Sequence, residues 1–142
     1  MSRKAATATV FIWIGFIGAI SFMEAWLKFR APGVTLPIGL SIGRLVFAAL
    51  NKVEWVLLLG IGASLFPYQT SKRINSLFLI AVLVVIVQTI WLLPILDERA
   101  QLYITGASVR PSHVHLYYVI GEIVKMIALL SLGTALFKNA HD

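Results

Sequence analysis

The sequence predicts an all-α, integral-membrane four-helix bundle, and three observations lead there. Of its 142 residues, 59% are apolar and only 13% charged, against roughly 45–50% and 25% in soluble domains. The apolar residues fall into four runs, each long enough at 1.5 Å per residue to cross a hydrocarbon layer of about 30 Å. Basic residues cluster at the ends of those runs, as Arg3/Lys4, Lys28/Arg30, Lys72/Arg73 and Lys138, where side chains meet lipid head groups. A soluble globule of this size buries only about 68–70% of its unfolded surface, so the surplus apolar surface requires lipid.

The first helix is predicted over residues 6–29. The basic start at Arg3 and Lys4 also suits a signal peptide, but such an apolar region spans only about 7–15 residues before a small-x-small cleavage site. This run continues through Phe22, Met23 and Trp26 to Lys28. Pro32, Gly33, Pro37 and Gly39 then mark a loop, and Ser41 is the expected N-cap of a second helix over 41–66. Pro67 and the turn through Ser71, Lys72 and Arg73 precede a third helix over 74–96, bent near its end by Pro94. Residues 97–112, DERAQLYITGASVRPS, are too polar to span and read as a helical extension followed by a polar loop. The fourth helix covers 113–137, with Tyr117 and Tyr118 near one end as in an interfacial belt. No internal repeat emerges, and the whole chain forms one transmembrane domain.

Four spans put both ends of the chain on one side. Leaving out Lys52 and Lys125, which lie inside spans, basic residues divide five and five between the two sides. The acidic Asp97 and Glu98 weigh little in the positive-inside rule, and the expected arrangement is a multi-pass protein of the inner (plasma) membrane with cytoplasmic termini. The net charge of +6 carries no basic stripe interleaved with aromatics, so no nucleic-acid partner is expected. The absence of cysteine excludes disulfides, thiolate metal sites and a Cys nucleophile.

Ionisable groups in lipid cost about 2.5–3.5 kcal/mol at mid-span on insertion scales, so each needs a reason. Arg44, Asn51 and Glu54 on the second helix are spaced by seven and three, within about 80° of one another. His115, Tyr118, Glu122 and Lys125 on the fourth are spaced by three, four and three and share a stripe. The first helix adds Ser21, Glu24 and Lys28; the third adds Gln88 beside Trp91. These faces are expected to turn inward as a polar seam.

One reading makes the seam structural, fixing helix register, with Gly15, Gly18 and Ala19 supplying the close approach. Another makes Glu54 and Glu122, with Asn51 and His115, the lining of a cavity for a cation, a proton or a small polar ligand; Glu24, Lys125, Arg44, Gln88 and Tyr118 complete that candidate site. A third lets His115, Glu122 and Glu54 ligate a metal, although the Glu-x-x-His pairs of di-metal bundles are missing. His113 and His141 read as interfacial or solvated. There is no P-loop, dinucleotide fingerprint, nucleophile elbow or HExxH motif, and no motif names a cofactor.

The segment Trp91-Leu92-Leu93-Pro94-Ile95-Leu96-Asp97-Glu98-Arg99, followed by a polar connector and by His115 at the head of the fourth helix, resembles the small four-helix membrane proteins similar to transmembrane protein 205. The likeness covers about half of the chain, mainly helices three and four, and only His115 and the Pro94–Arg99 segment map onto it. Glu54, Glu122 and Lys125 depart from the milder polar residues of that pattern. The resemblance implies a loose role in trafficking or export and no catalytic residue.

The expected function is therefore a non-enzymatic membrane bundle, partnered by the bilayer and by copies of itself or a larger membrane complex, whose seam binds or passes a small ion, proton or polar ligand. The alternatives are a membrane-embedded metal- or redox-dependent enzyme using His115, Glu54 and Glu122 on a lipophilic substrate, and an accessory subunit of a larger complex.

Overall fold

A computed structural model describes residues 3–138; His141 lies outside the described residues. The chain is an all-α bundle of four helices, each long and apolar enough to cross a membrane: α1 (Arg3–Arg30), α2 (Leu36–Leu65), α3 (Lys72–Ile104) and α4 (Val114–Lys138). Only 22–39% of the most apolar window of each helix faces the interior. The rest points outward, with Leu45, Val56, Leu59 and Ile90 64–74% exposed, as expected of a protein whose solvent is hydrocarbon.

Each helix packs against its neighbours in sequence, and α1 closes the ring against α4. The diagonal pairs are therefore α1 with α3 and α2 with α4. Helix α1 brings Ala6, Val10, Trp13 and Ile17 to the interior, and α4 brings Leu129, Leu132 and Leu136. Both sets alternate three- and four-residue steps, the spacing that keeps one stripe facing its neighbours. With Leu58, Ile61 and Leu65 of α2 and Ile74, Ala81 and Val85 of α3, they form a dry layer toward the end of the bundle that carries Arg3 and Lys138.

The second helix begins at Leu36 rather than at residue 41. Thr35 precedes it and Pro37 sits in its first turn, where a missing N–H costs nothing because no intrahelical acceptor exists there. The Gly39 N–H already bonds the Thr35 carbonyl at 2.9 Å, and the missing side chain at Gly39 admits the Phe29 ring. Ser41 is thus an interior residue, not a cap. Ser71 caps α3 instead, accepting from the Ile74 N–H at 3.3 Å.

The third helix runs through Pro94 to Ile104, so the polar stretch from residue 97 is first helix and only then loop. Proline's ring crowds the carbonyl four residues back, here Ile90. A π-helical turn at Gln88–Leu92 accommodates it, the Leu93 N–H reaching the Gln88 carbonyl five residues away. A second π turn occupies Gly18–Glu24 of α1. The connectors at the far end of the bundle turn on Gly33 and Gly106, whose φ angles of 81° and 76° suit only glycine comfortably. Gly15 and Gly18 do not provide the close approach assigned to them, since both face open space. That role falls to Gly133 of α4, where a Cβ would meet Phe11 and Val10 at 3.1–3.2 Å.

Candidate functional site

At the level where the dry layer ends, all four helices send one or more polar groups to the axis. The spacing of Glu54 on α2 and of Glu122 and Lys125 on α4 places them across the diagonal of the bundle, and each is at most 1% exposed. The Lys125 ammonium spends its three N–H bonds on three acceptors: Glu54 Oε1, Glu122 Oε1 at 2.7 Å, and Gln88 Oε1 of α3 at 2.7 Å. Gln88 Nε2 donates back to Glu122 Oε1 at 2.6 Å. Trp13 Nε1 of α1 donates to Glu54 Oε1 at 3.0 Å.

Every polar atom of Lys125 and Gln88 in this cluster is engaged, yet the second oxygen of each carboxylate, Glu54 Oε2 and Glu122 Oε2, is buried without a partner. Two carboxylates surround one ammonium. The interior therefore carries one negative charge in excess unless a further positive charge joins it, and a buried net charge is among the costliest arrangements a protein can hold.

One turn from Glu54, Asn51 Nδ2 donates to Thr89 Oγ1 at 2.9 Å, and Trp55 Nε1 does so at 3.0 Å. Thr89 in turn donates to the Val85 carbonyl at 2.7 Å, so the hydroxyl is fully used. Tyr118, 2% exposed and one turn from Glu122, packs edge-on against Phe47 with centroids 5.4 Å apart. Asn51, Thr89 and Tyr118 form the floor of a cleft of about 630 Å³ whose walls include Lys28, Phe29, Gly43, Arg44, Leu93 and His115.

The cleft lies on the side of the cluster nearer the Gly33 and Gly106 connectors, where α4 is short. From Glu122 to Val114 is about 12 Å, whereas α1, α2 and α3 continue for about 24–27 Å beyond Trp13, Glu54 and Gln88.

The structure thus unites Glu54, Glu122, Lys125 and Gln88, with Asn51 and Tyr118 adjoining, and separates the other expected members. Arg44 turns to α3, gripping Asp97 with two nitrogens at 2.6 and 2.9 Å and contacting Gln101. Seven residues of spacing place it two turns from Asn51, beyond reach of the cluster. Glu24 pairs locally with Lys28 at 3.1 Å.

His115 is exposed at the cleft, on the same stripe of α4 as Glu122 but two turns nearer the helix start. Among the described residues no group of three or more His, Cys, Asp or Glu side chains stands close enough to hold a metal ion, so the proposed His115, Glu122 and Glu54 set does not assemble. His113 is exposed, as an interfacial residue would be.

Trp13 and Thr89 were not expected at the site. An indole inside an apolar stripe looks like packing, and its N–H, which always needs an acceptor when buried, was the available signal. Thr89 stands next to Gln88 in sequence, on a π turn that widens the helix and redirects both side chains. No protein-family model, curated protein or solved structure matches the chain.

Proposed function

We propose that the protein is a multi-pass inner-membrane bundle, with both ends of the chain on the cytoplasmic side, that holds one exchangeable proton between Glu54 and Glu122 near mid-membrane. The observation that carries this reading is the pair of unpartnered carboxylate oxygens around a single, fully engaged ammonium. One proton removes the excess charge and converts one idle acceptor into a donor for the other.

A larger cation fits less well. Hard metal ions take about six oxygen ligands, whereas the cluster around Lys125 offers, among the described residues, two unpartnered oxygens, Glu54 Oε2 and Glu122 Oε2. The polar floor of the cleft gives protons a route by way of Asn51, Thr89 and Tyr118 from one side, while the dry layer of α1–α4 closes the other.

The likeness of residues 91–99 and His115 to transmembrane protein 205-like proteins suits a membrane role without catalysis, but the proton reading rests on the cluster alone. The competing reading, a purely structural tie, is favoured by the way Lys125 links α4 to both α2 and α3.

Proton flux in proteoliposomes, read with an internal pH dye, separates the two. Glu54→Gln keeps an oxygen for Trp13 and Lys125 while removing the surplus charge, and Glu122→Gln does the same for Lys125. Both variants are expected to keep the parent's melting behaviour and lose flux. Unchanged flux in either returns the cluster to a structural role.

A further inference from the structure

We infer that the cleft is a binding site for an anionic amphiphile, a carboxylate or phosphate head on a hydrocarbon body, with Lys52 as its charge partner. The inference stands on the cleft and does not depend on proton exchange at Glu54 and Glu122.

Lys52 lies near the middle of α2, about 24 Å from Leu36 and about 20 Å from Leu65. It is exposed rather than turned into the core. The other two basic groups on the cleft have carboxylate partners: Lys28 has Glu24, and Arg44 has Asp97. Among the described residues Lys52 has none. An ammonium at this depth faces hydrocarbon on one side, where an unpaired charge costs about 2.5–3.5 kcal/mol on insertion scales. Helical side chains lean toward the helix N-terminus, which carries Lys52 up toward Ala48 and along the cleft rather than away from it.

The remainder of the cleft fits the other half of such a ligand. Its surface is mainly apolar, with Phe29, Phe47, Leu93 and Leu96 among its walls. At about 630 Å³ it falls in the range of small-molecule sites, which are mostly apolar with a few placed polar groups. Gly43 leaves room for the Lys28 ammonium, which a Cβ there would approach to 3.1 Å. That ammonium also sits 5.5 Å from the Phe29 and Phe47 ring centres. With Lys28 and Arg44 paired to carboxylates, Lys52 is the basic group on the cleft without such a partner among the described residues, and a single negative head is the complement it lacks.

The test is equilibrium binding of radiolabelled oleate to the full chain in neutral detergent, with melting temperature confirming the fold of each variant. Saturable binding is expected. Lys52→Gln should weaken it roughly tenfold or more, the scale of one hydrogen bond to a charged group, while Lys52→Arg and Glu54→Gln retain it. Oleyl alcohol, which has the same body without the charge, should not compete, and neither should inorganic phosphate, which has charge without a body.

Dioleoylphosphatidylglycerol that displaces oleate supports the site and marks a bilayer lipid as its occupant. Failure to displace supports a free amphiphile. Equal oleate affinity in Lys52→Gln, effective competition by the alcohol, or competition by phosphate alone overturns the inference.

Discussion

Replacing Lys125 by methionine should be the most damaging single change in the interior. The side chain is fully buried, and its ammonium is the one positive charge between Glu54 and Glu122. Removing it leaves two carboxylates with no ion pair among the described residues, and Gln88 Oε1 without its donor. Breaking a buried ion pair from one side costs about 3–5 kcal/mol, most of it the penalty of the charge left behind. That is a fifth or more of the roughly 5–15 kcal/mol that holds a typical domain together.

The origin of the loss can be checked by adding Glu54→Gln to Lys125→Met. With one stranded charge removed, the double variant should recover at least about 1 kcal/mol, within the usual 0.5–3 kcal/mol coupling of touching residues. Reversible unfolding in mixed micelles, fitted for midpoint and slope, provides both numbers. A loss below about 1 kcal/mol for Lys125→Met, or a further loss in the double variant, would refute the charge argument.

Other outcomes follow from the same contacts. Thr89→Val strips the acceptor from Asn51 and Trp55 and should cost about 1–3 kcal/mol in the same assay, whereas Thr89→Ser should cost far less. Asp97→Asn breaks the Arg44 pair, whose side chains are 32% and 52% exposed; it should change stability by no more than about 1 kcal/mol and leave proton flux intact. Gly39→Ala puts a methyl group into the Phe29 ring and should destabilise by about 1–3 kcal/mol through overpacking. Because the chain contains no cysteine, single cysteines report access directly. Cysteine at His115 or Lys52 should react with a membrane-impermeant thiol reagent from one side only, and cysteine at Ile61 or Leu132 should react from neither.

The four spans and much of the central cluster were legible because both depend on spacing. Apolar runs of spanning length admit few structures, and residues three, four or seven apart on a helix must share a face. That logic located Glu54, Glu122 and Lys125. It said less about partners, because a face is not a contact. Arg44 shares the stripe of Glu54, but its long side chain reaches Asp97 on the helical extension of α3, an element whose length the sequence left open. Pro37 looked like a breaker because its position within the helix was unknown, and it is harmless only in the first turn. His115 heads the right stripe of α4, yet it sits so near the helix start that it meets the cleft before the core. Lys52 falls between the stripes, and only the cleft gives it a role.

The vertical order of the bundle bears on how the site would work. The dry layer fills the half of the interior nearest Arg3 and Lys138, the ionised cluster follows, and the cleft occupies the half where α4 is short and contributes its first turns, with His115 and Tyr118. Access to Glu54 and Glu122 is therefore lopsided by construction, and a proton arriving from the cleft meets Leu129, Leu132 and Ile61 beyond them. Net transfer across the membrane would require those side chains to part, whereas binding and release on the cleft side would not. Flux that survives when bulkier residues are packed into the dry layer, as in Ala81→Leu, would place the proton's exit elsewhere. Flux that stops while one-sided proton uptake persists would identify the dry layer as the gate.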